Sequence, residues 1–272
     1  IRYLKRALTA RPTDLLLCRQ LRSLLIREQL WLDLAHHIGH EAEYASDAHE
    51  QALLYLEQGE VFRDRVDAPR QAVEAWFRAL ELQPDNKPIL VRLMDAYRST
   101  GQWDASVKVL RKLASVEPAP KKRAQYMYAM AVIERDKFED DDRALDSLDY
   151  ALDLDPGFEK AYAALDALLI DGGDAARQDY YIRRMLARAI DAELSDDLVV
   201  ELALRVGALN RDILGDDQAA YDAFRLALQR RPNEVALRRQ VAELATVVGQ
   251  LTAAARHQTI LFEQSPDDPG PL

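Results

Sequence analysis

The sequence predicts an all-α solenoid of stacked antiparallel helix pairs, and three observations lead there. Small residues and prolines recur at fixed intervals: Ala72 lies 13 residues after Gly59, Ala79 a further 7, Pro84 a further 5 and Gly101 a further 17. Ala131, Ala144, Ala151, Pro156 and Gly173 repeat those steps, and Gly207, Ala220, Ala227, Pro232 and Gly249 repeat them again. Between these markers the apolar side chains fall at helical spacing, as in Ile89, Leu90, Leu93, Met94 and Tyr97, so each segment has one stripe to bury. Self-similarity at a fixed period marks units that shelter their apolar faces only against their neighbours.

The chain can then be divided in order. Pro12, Pro84, Pro156 and Pro232 are separated by 72, 72 and 76 residues, so the period is a pair of units. Residues 1–11 read as the trailing helix of a truncated unit, and the start at Ile1 is expected to be a point inside a larger protein. Helix pairs are expected over 12–46, 47–84, 85–118, 119–156, 157–194, 195–232 and 233–265, followed by a linker or frayed tail at 266–272. Proline ends each helix, and Thr13-Asp14, Asp85-Asn86 and Asn233 offer side chains to the free amides that open the next. Gly101 allows the turn inside a pair, and Trp103 opens the second helix. The step from Gly173 to Gly207 is 34 residues where that from Gly101 to Ala131 is 30. Four residues are about one helical turn, so an extra turn around Met185 to Glu193, or a longer loop before Leu198, is predicted.

Composition limits the partners. Of 272 residues, 49% are hydrophobic and 30% charged, which suits a large core or a long row of small repeats. A net charge of −10 disfavours nucleic acid, whose binding draws on Lys and Arg. Cys18 is the only cysteine, which rules out an internal disulfide and fits a reducing compartment such as the cytoplasm. No apolar run approaches the ~20 residues of a membrane span, so no membrane insertion is expected.

Gly59, Phe62, Ala72, Trp76, Ala79 and Pro84, spaced as they are, resemble the tetratricopeptide repeat signature. Gly207, Ala220, Phe224, Ala227 and Pro232 are similar, and Tyr97, Gly101, Trp103 and Pro118 match in another unit. The early tryptophan of the family is replaced by Tyr55, Met127 and Ala203, and Ile190 stands where a closing proline would be. The resemblance implies a right-handed superhelix and a non-catalytic scaffold that cradles a protein or peptide on its concave face. The alternatives are an architectural spacer or self-association module and, more remotely, a metal-dependent enzyme. Some family members hold a carboxylate tail with Lys and Asn; here only Asn210 lies inside a first helix, so that specific role is not expected.

Candidate sites follow, each with a structural counterpart. Arg63-Asp64, Arg135-Asp136 and Arg211-Asp212 recur four and five residues after the small residue. By resemblance they end a first helix, where three arginines could receive acidic groups; equally, they could cap the helix and pair across the loop. Tyr128 and Tyr181 are candidate anchors, since polar-tipped rings suit interfaces, whereas most other aromatic residues fall at core spacing. His36 and His40, near His37 and His49, stand at a usable ligand spacing. Their repeat equivalents Lys108, Lys112, Arg184 and Arg256 are solvent-facing types, so no metal or cofactor is expected. Cys18 aligns with Leu90 and Tyr162 and reads as a buried, inert thiol. The run Glu139-Asp140-Asp141-Asp142 reads as a solvated helix N-terminus rather than acid–base machinery.

Overall fold

The computed structural model describes residues 1–264; the expected tail at 266–272 lies outside them. Fifteen α-helices and no strand occur among the described residues. The chain divides into two compact units, Ile1–Ile133 and a second beginning at Glu134.

The first unit contains α1 (Arg2–Ala10), α2 (Leu15–Arg27), α3 (Trp31–Tyr44), α4 (Ala48–Val61), α5 (Pro69–Leu82), α6 (Lys87–Ser99) and α7 (Trp103–Val116). It ends within α8 (Pro120–Phe138). Asp14 accepts bonds from the Leu16 and Leu17 amides and Asn86 from that of Ile89, so two of the expected caps form. Packing runs between consecutive helices: α1 with α2, α2 with α3, α3 with α4, α4 with α5, α5 with α6, and α6 with α7. One core gathers Leu8, Cys18, Leu21, Leu25, Leu34 and Ile38; the next is built around Tyr55, Phe62, Trp76, Ile89, Leu93 and Leu113.

The second unit contains α9 (Asp141–Leu154), α10 (Glu159–Gly172), α11 (Ala175–Asp191), α12 (Asp196–Leu209), α13 (Asp217–Arg230), α14 (Val235–Val247) and α15 (Leu251–Gln264). Consecutive helices again pack together, and α9 also meets α11. Asp140 caps α9 through the Arg143 amide, so the acidic run does open a helix. Asn233 does not cap: Glu234 precedes α14 and makes no side-chain bond to it. The extra residues after Gly173 extend α11 to 17 residues where α7 has 14, and Glu193 turns the chain at φ 51°.

The added residues at the ends of α4, α8 and α12 are absorbed without a loose loop. α4 and α12 continue as π-helical turns, Phe62–Val66 and Asn210–Leu214. The carbonyls of Phe62, Glu134 and Asn210 accept from the amides of Ala68, Asp140 and Asp216 at 2.9, 3.0 and 3.0 Å, and each turn closes on a left-handed residue, Asp67, Glu139 or Gly215. An inserted residue widens the helical ladder in this way while keeping the backbone bonded.

Close approach within a pair depends on size matching. A Cβ on Gly207 would lie 2.6 Å from the Phe224 ring, and one on Gly59 would overlap the indole of Trp76. The repeat equivalents of Gly59 and Trp76 are Ala131 and the smaller Leu148, both buried.

Candidate functional site

The first helices of successive pairs, α2, α4, α6, α8, α10, α12 and α14, carry most of the predicted positions. In the first unit neighbouring first helices are tied side chain to side chain. Arg22 on α2 reaches Glu57 on α4 at 2.6 Å, and Arg92 on α6 reaches Glu60 on α4 at 3.0 Å. In the second unit Arg205 on α12 pairs with Asp166 on α10. These side chains are partly exposed, so their value is order along one face more than stability.

The three Arg-Asp pairs sit in the widened turns, and each arginine binds the carboxylate that follows it. The Nε–Oδ1 distances are 2.6 Å for Arg63–Asp64, 2.7 Å for Arg135–Asp136 and 2.6 Å for Arg211–Asp212. Arg63 lies 5.4 Å from the Trp76 ring centroid and Arg211 5.5 Å from that of Phe224, within cation–π range. The bonded Arg63 and Arg211 guanidinia hold Asp64 and Asp212 below the usual carboxylate range. Arg135 does the same for Asp136.

Tyr128 is half-buried on α8. Tyr181 is 8% exposed on α11, edge-on to Tyr180 at 5.1 Å.

The histidines separate. His36 is exposed and edge-on to Phe62, His40 rests against Tyr44, and His49 Nδ1 lies 2.6 Å from the Gln83 amide nitrogen. His37 instead turns toward α2, where its ligand atom, that of Cys18 on α2 and that of Glu41 on α3 all lie within 4.8 Å of one another. No spacing joins Cys18 to His37, so the only sequence signal was the one-turn separation of His37 and Glu41. Burial pushes the Cys18 thiol up and the nearby Glu41 charge adds to that; burial also raises the Glu41 carboxyl and lowers the His37 imidazole. Among the described residues no helix is long and apolar enough to cross a membrane.

No family model matches the chain, and no curated protein matches it. Solved structures do. The Naa15/Naa10 complex bound to HypK-THB is similar at 14% identity and a TM-score of 0.50, over 99% of this chain and 39% of that one. A tetratricopeptide repeat protein from Parabacteroides merdae ATCC 43184 is similar at 12% identity and a TM-score of 0.42, over 93% of each chain. YrrB, described as a TPR protein with an unusual peptide-binding site, is similar at 14% identity and a TM-score of 0.36, over 74% of this chain and 92% of that one. The fold is all-α and tetratricopeptide-repeat-like.

Proposed function

We propose that the chain is a non-catalytic scaffold, binding a peptide or partner protein on a concave face built from the first helices. The observation that carries this reading is the set of links between neighbouring first helices, Arg22–Glu57, Arg92–Glu60 and Arg205–Asp166. They order a charged face before a partner arrives, which lowers the ordering cost of association. Charges arranged this way select partners and speed encounter more than they add affinity. Arg63, Arg135 and Arg211 would exchange Asp64, Asp136 and Asp212 for a partner's carboxylates, and Tyr128 would contribute ring contact. Tyr181 would support the packing behind that face.

A second reading, an architectural spacer or self-association module, is favoured by one feature: Arg63, Arg135 and Arg211 each already hold a neighbouring carboxylate. Photo-crosslinkers at Leu53, exposed on α4, and at Phe77, exposed on α5, separate the two. The scaffold reading expects a distinct partner crosslinked from position 53 and not from 77, with capture reduced in R63Q/R135Q/R211Q and melting little changed. Crosslinks only to a second copy would instead support the spacer or self-association module, and partner capture unaltered by the triple variant would reject the binding role of the three arginines.

A further inference from the structure

We propose that Cys18, His37 and Glu41 form a binding site for a borderline-soft divalent metal ion, zinc by chemical class, between α2 and α3. Thiolate, imidazole and carboxylate are the donor types zinc takes. Here they form the one grouping of three or more such side chains among the described residues. His37 and Glu41 are one turn apart on α3 and share a face, while α2 brings Cys18 to that face.

Their polar atoms are otherwise poorly served. His37 Nε2 and Glu41 Oε2 are shielded from solvent without a hydrogen-bond partner, although the Cys18 carbonyl is near enough to favour the protonated ring. Arg22 Nε stands 3.1 Å from Glu41 Oε2, yet neither atom makes a well-directed hydrogen bond. Buried polar groups are normally paired, so orphaned atoms converging on a thiol need a reason. The Arg22–Glu41 ion pair accounts for the carboxylate, and the Cys18 thiol donates only a long 3.9 Å bond to the Pro12 carbonyl, but neither contact serves the imidazole Nε2. A metal ion would serve all three groups.

The charges balance. A divalent ion offsets the Cys18 thiolate and the Glu41 carboxylate, and Arg22 keeps Glu57 at 2.6 Å. Donor atoms around tetrahedral zinc lie roughly 3–4 Å apart, and the three here all lie within 4.8 Å of one another, so a small side-chain contraction closes them on an ion. One cleft lined by Pro12, Thr13, Cys18, Glu41 and Tyr44 reaches the thiol, and another, lined in part by Lys5, Thr9, His36 and His40, reaches the imidazole. An ion has a path in, and water can supply a fourth ligand. Uptake must displace the Cys18 proton, so it strengthens as pH rises.

The test is titration of the reduced, full-length chain with cobalt(II), followed by displacement with zinc. The expected result is one equivalent bound, with thiolate-to-cobalt charge-transfer absorption that zinc removes. The absorption is expected to be absent in C18S and unchanged in H36Q/H40Q. Zinc affinity in H37Q should fall by more than the ~10–100-fold typical of losing an outer-shell partner. Zinc should also slow modification of Cys18 by a thiol reagent in the unaltered chain, a readout that does not depend on C18S folding. Absence of the charge-transfer absorption, no protection of Cys18, or uptake that survives in C18S but is lost in H36Q/H40Q would each overturn the site.

Discussion

The indole of Trp76 covers Gly59 so closely that no side-chain carbon fits between them. Trp76 is itself fully buried and donates from Nε1 to the Leu56 carbonyl at 3.2 Å. Gly59→Ala should therefore destabilise the first unit by about 1–3 kcal/mol, the usual cost of overpacking, despite alanine's higher helix propensity. Trp76→Leu alone should also destabilise, by less than the ~3–5 kcal/mol of truncation to alanine. Together they install the residue pair that the next repeat carries at these positions, Ala131 and Leu148, and the added methyl enters space the smaller side chain vacates, so urea melts of the double variant should show a coupling of at least ~1 kcal/mol in its favour. Simple additivity would mean that the size match is incidental.

A different match occupies the position three residues after each small residue. Phe62, Glu134 and Asn210 are repeat equivalents, all buried, and Glu134 is only 3% exposed. Ser147 Oγ donates to Glu134 Oε2 at 2.6 Å, while the equivalents of Ser147 are Ala75 and Ala223. Ser147→Ala should then cost about 1–3 kcal/mol, since it removes a donor from a buried carboxylate. Ser147→Ala with Glu134→Phe restores the Phe62–Ala75 chemistry and should recover much of the loss, measured by chemical denaturation.

The second helices offer a contrast between buried and exposed charge. Arg188 on α11 is only 10% exposed at its side chain and reaches Asp149 and Asp153 on α9 at 2.7 and 2.6 Å. Arg177 pairs with Asp142 at 2.5 Å, but both are much more open. Arg188→Ala should cost about 1–3 kcal/mol, less than a fully isolated buried pair because Arg184 still reaches Asp149 at 2.8 Å. Arg177→Ala should cost under ~1 kcal/mol. Thermal melts at low and high salt would check both, with the larger salt response in the exposed pair.

What was legible in the sequence follows from physics that is local or repeated. Pro12 and Pro84 stop helices wherever they occur, Asp14 and Asn86 cap them, and the recurring alanines register the pairs. The partners of Arg63 were not legible, because whether inserted residues make a loop or a widened helical turn is settled by the backbone bond from Ala68 to Phe62. Nor was the separation of His37 from His36 and His40. Spacing along α3 shows which histidines share a face, but only packing against α2 decides which face turns inward. Tyr181 shows the same limit: its ring type suits an interface, and the phase of α11 buries it.

His257 gives the chain an acid-sensitive end. It lies on α15 with Nδ1 3.4 Å from Arg238 Nη1 on α14, and Arg238 also binds the Pro232 carbonyl. Burial first, and the Arg238 charge second, lower the imidazole below its ordinary value. A base with a depressed folded pKa is protonated more readily when unfolded, so its contribution is intact above the unfolded value of about 6.5. The contribution is lost as pH falls through the lower folded value. Hydrogen exchange in α15 should therefore accelerate relative to α12 between about pH 7.5 and about pH 5.5. His257→Gln, which cannot take up the proton, should remove most of that difference, and an equal response in the variant would assign the acid sensitivity to another group.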